Sequence, residues 1–447
     1  MINKNDEYIV EITGYTTEGQ GVARVNDFVV FVPFSIIGEK VKVHIIKTYK
    51  TYVVGKIVEI IVASKERVEP KCSVFKKCGG CALQHINYPH TLEMKRGFVR
   101  DSFVKFAGLK EIDVKKTIAS NNIYCYRNKS AFPIIIGENG DIELCMFREL
   151  SHNPIVLDDC PITMDSINEI ATIVKNTLNK VLNLEQKQLL RYLVVRIVEK
   201  SAIVTIVSLK KTENLEIVYD ELIENFKNLT ISVWSCVKSK DNNVILEGAL
   251  KLIKGAGDIS CNVMGVNVEV SPFSFFQVNR FIMEQIYQTV ISNIEDDKVV
   301  IDAYSGAGLM SALLCKKSKH VYAIEIIKEA TLNAERLKEK NKITNLTNIN
   351  GDAKIEVPKI IEKLGRDLIV VLDPPRKGAD SKVLESILKC APQKIIYVSC
   401  NPATLARDVK YFINDYSITL CQPFDMFPQT AHVETVVVLE KIQEFEK

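Results

Sequence analysis

The chain has 447 residues, 47% of them hydrophobic and 25% charged, with a formal net charge of +3 at pH 7. Single cores stop growing at about 250–300 residues, so at least two domains are expected, and three fit the patterning below. The composition is that of an ordinary globular protein, and so small a net charge excludes a global basic field; local clusters must make any case for a polyanionic partner.

Residues 1–8 are polar and lack the apolar core of a signal peptide. No window of about 18 uncharged apolar residues exists, so no membrane span is expected. A cytoplasmic protein with reduced thiols follows as the expectation, and its 12 cysteines then point to metal, cluster or catalysis rather than to disulfides.

Residues 7–62 read as short strands with glycine turns. Val41, Val43 and Ile45 alternate with Lys40, Lys42 and His44, the period of a half-buried strand. Several such strands in so short a stretch suggest a small barrel of the OB type. Five lysines and no acid lie between Lys40 and Lys56. They form either a solvated strand face or a patch for a phosphate backbone.

Next come Cys72, Cys78 and Cys81 in the spacing Cys-x5-Cys-x2-Cys, with Gly79 and Gly80 between the last two. Three crowded thiols need a fourth ligand, for which Cys125, Cys145 and Cys160 are candidates. Cys160 precedes Pro161, echoing the Cys-Pro that closes ferredoxin-type runs. Structural zinc prefers two Cys-x2–4-Cys knuckles and only one is present, so a [4Fe-4S] cluster fits better.

From 86 to 275 the pattern mixes helices and strands, with a hairpin over 191–209. Tyr124, Tyr126, Arg127, Asn128 and Lys129 interleave aromatics with bases, either to grip single-stranded RNA or as a solvated strand edge. Phe275 and Phe276 precede Gln277 and a helical stretch from Arg280; either ring could stack on a base, and Phe276 could equally pack in a core.

From about 296 strands and helices alternate, which means a doubly wound, mostly parallel sheet. Its strands end at 302–308, at Glu325, at Asp352, at 373–378 and at Cys400. Ligands bind at the carboxyl ends of such strands. Gly306 and Gly308 alone are a weak nucleotide signal, and an acid at Glu325 suits ribose hydroxyls in NAD and S-adenosylmethionine (SAM) sites alike. The rigid turn Asp373-Pro-Pro-Arg376 favours a methyltransferase. Ile395–Val398 reads as a buried strand that stops at Ser399-Cys-Asn-Pro402, where Pro402 can start a helix. Cys400 there is either a small buried hydrophobe or a nucleophile.

The runs Asp373-Pro-Pro-Arg-Lys-Gly378, Ser399-Cys-Asn-Pro-Ala-Thr-Leu-Ala-Arg-Asp408 and His432-Val-Glu434 resemble signatures of the RNA uracil-5-methyltransferases. Cys78-Gly-Gly-Cys-Ala-Leu-Gln-His85 resembles the cluster motif of their iron–sulfur members, which modify 23S ribosomal RNA, and 7–62 is similar to their TRAM domain. The resemblance spans the chain and implies a multi-domain α/β protein. An OB-like TRAM barrel would occupy 1–63, a central α+β iron–sulfur domain 64–275, and a Rossmann-like SAM methyltransferase domain 276–447. It implies SAM binding by Gln277, Tyr304, Glu325 and Asp373, with Asp352 as a further contact. Leu309 stands where some members carry a polar residue touching the cofactor. It implies Cys400 as nucleophile, Glu434 as base, and Cys72, Cys78, Cys81 and Cys160 as cluster ligands. The expected activity is methylation of carbon 5 of uridine in RNA, on 23S rRNA, by a monomer. The alternatives are the same chemistry on tRNA, or an inactive iron–sulfur RNA-binding protein, which the complete set of Cys400, Asp373 and Glu434 argues against.

Overall fold

The apolar runs form three large sheets and one separate hairpin in a computed structural model, which describes residues 2–442 except 150, 239, 241 and 243. The chain divides into two compact units: Met1–Pro70, Cys81–Asn121 and Phe281–Lys447 make the first, Lys71–Gly80 and Asn122–Arg280 the second.

The first unit opens with a six-stranded sheet. At one edge Glu7–Glu11 pairs with Lys40–Thr48; at the other Gly14–Tyr15 pairs with Gly21–Val25. One stretch of chain, interrupted only at 12–13, thus closes both edges into a barrel, with Ile12 donating to the Glu39 carbonyl (2.9 Å) and Thr13 to that of Val22 (2.8 Å). Register shifts between Lys40–Thr48 and Tyr52–Val62 supply the extra bend that a small barrel needs. The alternation expected of 40–45 holds: Val41, Val43 and Ile45 are buried, and Lys40 and Lys47 are exposed.

The same unit carries the seven-stranded C-terminal sheet. Its order is Leu346–Asn350, His320–Glu325, Val299–Ala303, Leu368–Leu372, Lys394–Ser399, Glu434–Lys441 and Tyr416–Phe424. The first five strands are parallel and the last two antiparallel. The order reverses between Val299–Ala303 and Leu368–Leu372, which opens a crevice at their carboxyl ends. Leu368–Leu372 is buried throughout, as a parallel strand covered on both faces must be. The helix Tyr88–Ser102 starts at Asn87, whose side chain accepts from the His90 N–H (2.9 Å). With the turn that follows it, this helix puts Val99, Phe103, Ala107 and Val114 into the core of the C-terminal sheet.

The second unit is an α+β body. A seven-stranded, mainly antiparallel sheet runs from Ala249–Gly255 through Leu190–Val198 to Pro154–Val156. Helices Asp165–Val181 and Glu216–Asn225 pack on it through Ile167, Ile170, Val174, Val218 and Leu222. The strands Leu190–Val198 and Ser201–Ser208 form the hairpin expected over 191–209. The two-stranded hairpin Ile259–Val263 and Val266–Val270 turns at Met264 and Gly265, both at positive φ, as a tight primed turn requires. Among the described residues no helix is long and apolar enough to cross a membrane.

Candidate active site

The C-terminal strands deliver their chemistry-bearing residues to one edge of one sheet. Cys400 follows Lys394–Ser399, and Asn401 caps the helix Pro402–Val409, its side chain accepting from the Ala403 N–H (3.0 Å). Pro402 needs no donor at the first helical position, so the chain turns sharply just past the thiol. Glu434 begins the neighbouring antiparallel strand, and Ser399 is the ladder partner of Thr435. Cys400 and Glu434 therefore stand across from one another, one step beyond the last pair. Glu434 is 9% exposed and Cys400 half-buried.

Asp373 ends Leu368–Leu372, between the other parallel strands and Cys400. Its turn is tied to the cysteine loop: Asn401 and Thr404 both donate to the Arg376 carbonyl (3.3 Å each), and Arg407 to that of Lys377 (3.0 Å). Buried Asp408 accepts from Tyr397 (2.6 Å) and from the Ala379 N–H (2.9 Å). Gly378 has φ +85, and a Cβ there would lie 2.5 Å from the Asp408 carboxylate, so the position takes only glycine without displacing it.

Burial pushes the Cys400 thiol up to about 11, helped by the charges of Glu434 and Asp373 and opposed by Arg376. Burial pushes Glu434 up to about 8, with Asp373 adding to it. Asp373 is exposed at its strand end, yet the surrounding protein mass pushes its carboxyl up to about 7.

Glu325, at the end of His320–Glu325, accepts from the Gly306 N–H (2.9 Å) and the Ile327 N–H (2.8 Å), which aims its carboxylate at the glycine loop. Tyr304 follows Val299–Ala303 at φ 69, a strained position for a tyrosine, and its ring is half-buried beside the core. Gly308 lets the loop approach helix Lys328–Lys340: a Cβ there would meet Ala334 at 2.7 Å. Asp352 caps helix Ala353–Leu364 and pairs with Lys354 (3.0 Å), so much of its capacity is engaged.

Two residues at this edge escaped the sequence reading. Asp302 is buried, bonded to Ser311, and pushed up to about 7 by burial and by Asp373 and Glu325. Tyr287, on helix Arg280–Ser292, is pushed upward by burial and by the charges of Asp373 and Asp302. The signal for Asp302 was present, as an acid inside an apolar strand run.

The remaining expected residues lie outside the strands of the C-terminal sheet. Gln277 belongs to the second unit, where Asn128 donates to its carbonyl (3.0 Å). Phe276 is buried and Phe275 is 79% exposed, so only Phe275 offers a ring to solvent. Cys72, Cys78 and Cys160 belong to the second unit, and Cys81 to the first. Burial raises the Cys72 and Cys78 thiols, and the charge of Cys160 raises each further. The Gly80 N–H donates to the Cys78 sulfur (3.4 Å). Gly79 has no room for a side chain, since a Cβ would lie 2.9 Å from the Glu149 Cα. The two other candidates are occupied: Cys145 is buried and donates to the Pro133 carbonyl (3.4 Å), and Cys125 donates to the Asp165 carboxylate (3.1 Å). Among the described residues no three or more His, Cys, Asp or Glu side chains converge as the ligands of one metal ion do.

Residues 87–442 match the model of the tRNA (Uracil-5-)-methyltransferase family, and residues 3–58 that of the TRAM domain. The chain belongs to the tRNA (Uracil-5-)-methyltransferase family. The expected family and its N-terminal TRAM domain of β-strands are thereby met. Relatives of this uracil-5-methyltransferase family member include an uncharacterized RNA methyltransferase of Clostridium tetani, 37% identical over 98% of this chain and 97% of its own. Another, from Clostridium acetobutylicum, is 36% identical over 99% and 98%. The crystal structure of Pyrococcus abyssi tRNA (uracil-54, C5)-methyltransferase in complex with S-adenosyl-L-homocysteine is similar at TM-score 0.75 and 26% identity, covering 97% of this chain and 100% of that one.

Proposed function

We propose that this family member methylates carbon 5 of uridine in RNA, with SAM as methyl donor and 23S rRNA as substrate. The observation that carries the reading is the cross-strand placement of Cys400 and Glu434 beside Asp373.

Carbon 5 of uracil is too weak a nucleophile to take a methyl group unaided. Addition of the Cys400 thiolate to carbon 6 forms an Sγ–C6 bond and moves the double-bond electrons onto carbon 5 and the carbonyl. Arg376 is the charge that favours ionisation of that thiol. Bound SAM would supply the methyl as an electrophilic sulfonium, carbon 5 gaining the C–CH3 bond while the S–CH3 pair stays on sulfur as a neutral thioether. Glu434 then takes the carbon-5 proton, the C5–C6 double bond re-forms, and the Sγ–C6 pair returns to sulfur. A carboxylate whose conjugate acid sits at about 8 is a stronger base than an ordinary glutamate, which suits a carbon-bound proton at neutral pH. Gln277, Tyr304, Glu325 and Asp373 hold the cofactor in this reading, Glu325 taking the ribose hydroxyls. A target uridine in structured RNA must be flipped out, and Phe275 is the ring free to stack on it.

Cys72, Cys78, Cys81 and Cys160 hold a [4Fe-4S] cluster in the same reading. The mutual influence of Cys160, Cys72 and Cys78 and the N–H donated to sulfur support it. Its role would be structural and RNA-positioning, since methyl transfer needs no electron. The barrel of 1–63 contributes RNA affinity through its exposed lysines, the stretch 64–275 carries the cluster and 276–447 the chemistry, in a cytoplasmic monomer.

The substrate has a second reading. The solved relative at TM-score 0.75 is a tRNA (uracil-54, C5)-methyltransferase, which favours tRNA, whereas the cysteine motif favours 23S rRNA. Mass mapping of 5-methyluridine in both RNAs from a deletion strain decides: loss from 23S rRNA alone supports the proposal, loss from tRNA alone replaces the substrate, and loss from neither removes it.

A further inference from the structure

One buried ion pair in the first unit is not used by this chemistry. Lys95, on helix Tyr88–Ser102, and Asp425, just after Tyr416–Phe424, are both fully buried, and the lysine Nζ donates to the Asp425 carboxylate. It also donates to the Phe427 carbonyl (3.0 Å). Burial drives the Lys95 ammonium downward, with Asp425 opposing. So dry a pair is a poor stabiliser, because two well-packed apolar side chains of similar volume do as well or better. What a pair supplies that an apolar contact cannot is direction. Lys95 fixes residues 425 and 427 of the loop that runs into Glu434.

Other contacts carry that constraint along the loop. The Ala82 and Leu83 N–H groups both donate to the Gln429 carbonyl (3.1 and 3.0 Å). Gln429 sits at φ 69, a conformation that persists only where its surroundings over-determine it. Thr430 donates to the Phe427 carbonyl (2.8 Å) and accepts from the His432 N–H (3.3 Å). Residues 425–432 are thus set by hydrogen bonds from Lys95, from residues 82 and 83 and within the loop, and Val433 and Glu434, both buried, follow directly.

We infer that Lys95 is a positioning residue for Glu434, acting through the loop 425–433 to hold the carboxylate where it meets the carbon-5 proton. The inference rests on the reading of Glu434 as base. Lys95 touches none of the reacting atoms. Thiolate addition and methyl transfer do not need Glu434, so a displaced carboxylate stalls only the last step. The proton then stays on carbon 5, the double bond does not re-form, and the Sγ–C6 bond persists.

The test is a denaturing gel with labelled RNA and SAM, run beside single-turnover methyl transfer. Lys95→Met leaves Asp425 buried without its cation and can fail to fold, so Lys95→Met/Asp425→Leu, which removes both charges, is measured with it. Misplacement of a catalytic group costs roughly tenfold to a hundredfold, so release should slow by at least about tenfold while methyl transfer stays within about twofold. Methylated RNA should accumulate on Cys400, and Lys95→Arg, which keeps a donor, should restore part of the release rate. Wild-type release by the folded double variant overturns the inference, as does an equal fall in transfer and release. Glu434→Gln on the same gel separates the two claims. If it traps the adduct and the Lys95 variants do not, only this inference fails; if it traps nothing, the role of Glu434 fails first.

Discussion

Cys400 and Glu434 face each other across adjacent antiparallel strands, one step past the pair Ser399 and Thr435. The relationship sets their electrostatics. The glutamate charge is one of the influences that raise the thiol, after burial.

Alkylation of Cys400 should therefore depend on Glu434. In RNA-free protein the thiol should ionise near pH 11, well above an ordinary cysteine. Glu434→Gln removes a negative neighbour, so the midpoint should move down while burial keeps it elevated. Iodoacetamide labelling of the Cys400 peptide against pH, read by mass spectrometry, checks this. An unchanged midpoint means the two side chains do not interact.

Stability should carry the same signature. The folded pKa of Glu434 lies above the ordinary value of 4.5, at about 8. Its contribution is therefore fully present below pH 4.5 and is lost as pH rises through about 8. Glu434→Gln cannot ionise, so its thermal stability relative to wild type should be greater at pH 9 than at pH 5. The gain should be on the order of a few kcal/mol.

Gly378→Ala should loosen the turn that carries Asp373. The new Cβ would meet the Arg407 guanidinium at 2.4 Å and the Asp408 carboxylate at 2.5 Å, at a φ that alanine avoids. A cost of about 1–3 kcal/mol is expected. Weaker SAM binding by calorimetry should accompany it.

Protein purified without oxygen should be brown, with about four irons per chain. Cys160→Ser should lose the iron, and Cys125→Ser should keep it, because the Cys125 thiol is engaged with Asp165. Stoichiometric zinc with no iron or sulfide would contradict the cluster.

Barrel lysines should affect RNA affinity through salt dependence. Lys42 already pairs with Glu7 at 2.7 Å, whereas Lys40 and Lys47 are exposed. Replacing Lys40 and Lys47 by alanine should lower the slope of log affinity against log salt by about 0.7–0.9 for each phosphate that the protein no longer neutralises. Lys42→Ala should change it less.

Much of the catalytic sheet was legible because parallel strands covered on both faces are near-continuous apolar runs. Leu368–Leu372 and Lys394–Ser399 could be delimited, and the polar residue after each identified Asp373 and Cys400. The placement of Val99, Phe103 and Val114 was not legible, because the sheet they pack against lies far along the chain. The same limit hid the closure of the barrel through residues 12–13. Spacing left Cys125, Cys145 and Cys160 open as fourth ligands; only the bonds to Asp165 and Pro133 distinguish the first two. Exposure likewise separates Phe275 from Phe276, which adjacency could not. Asp302 gave no sign of its burial, because an acid at a strand end is ordinarily solvated, whereas here it is buried on Ser311.

The central claim is that Cys400 and Glu434 act at successive stages of one covalent cycle. Its most direct test is a denaturing gel of wild type, Cys400→Ala and Glu434→Gln, each incubated with labelled RNA and SAM. Glu434→Gln should retain methylated RNA as a band that survives denaturation, wild type should turn over with little such band, and Cys400→Ala should show neither band nor product. Rapid turnover by Glu434→Gln without an adduct, or an adduct formed by Cys400→Ala, would contradict the account.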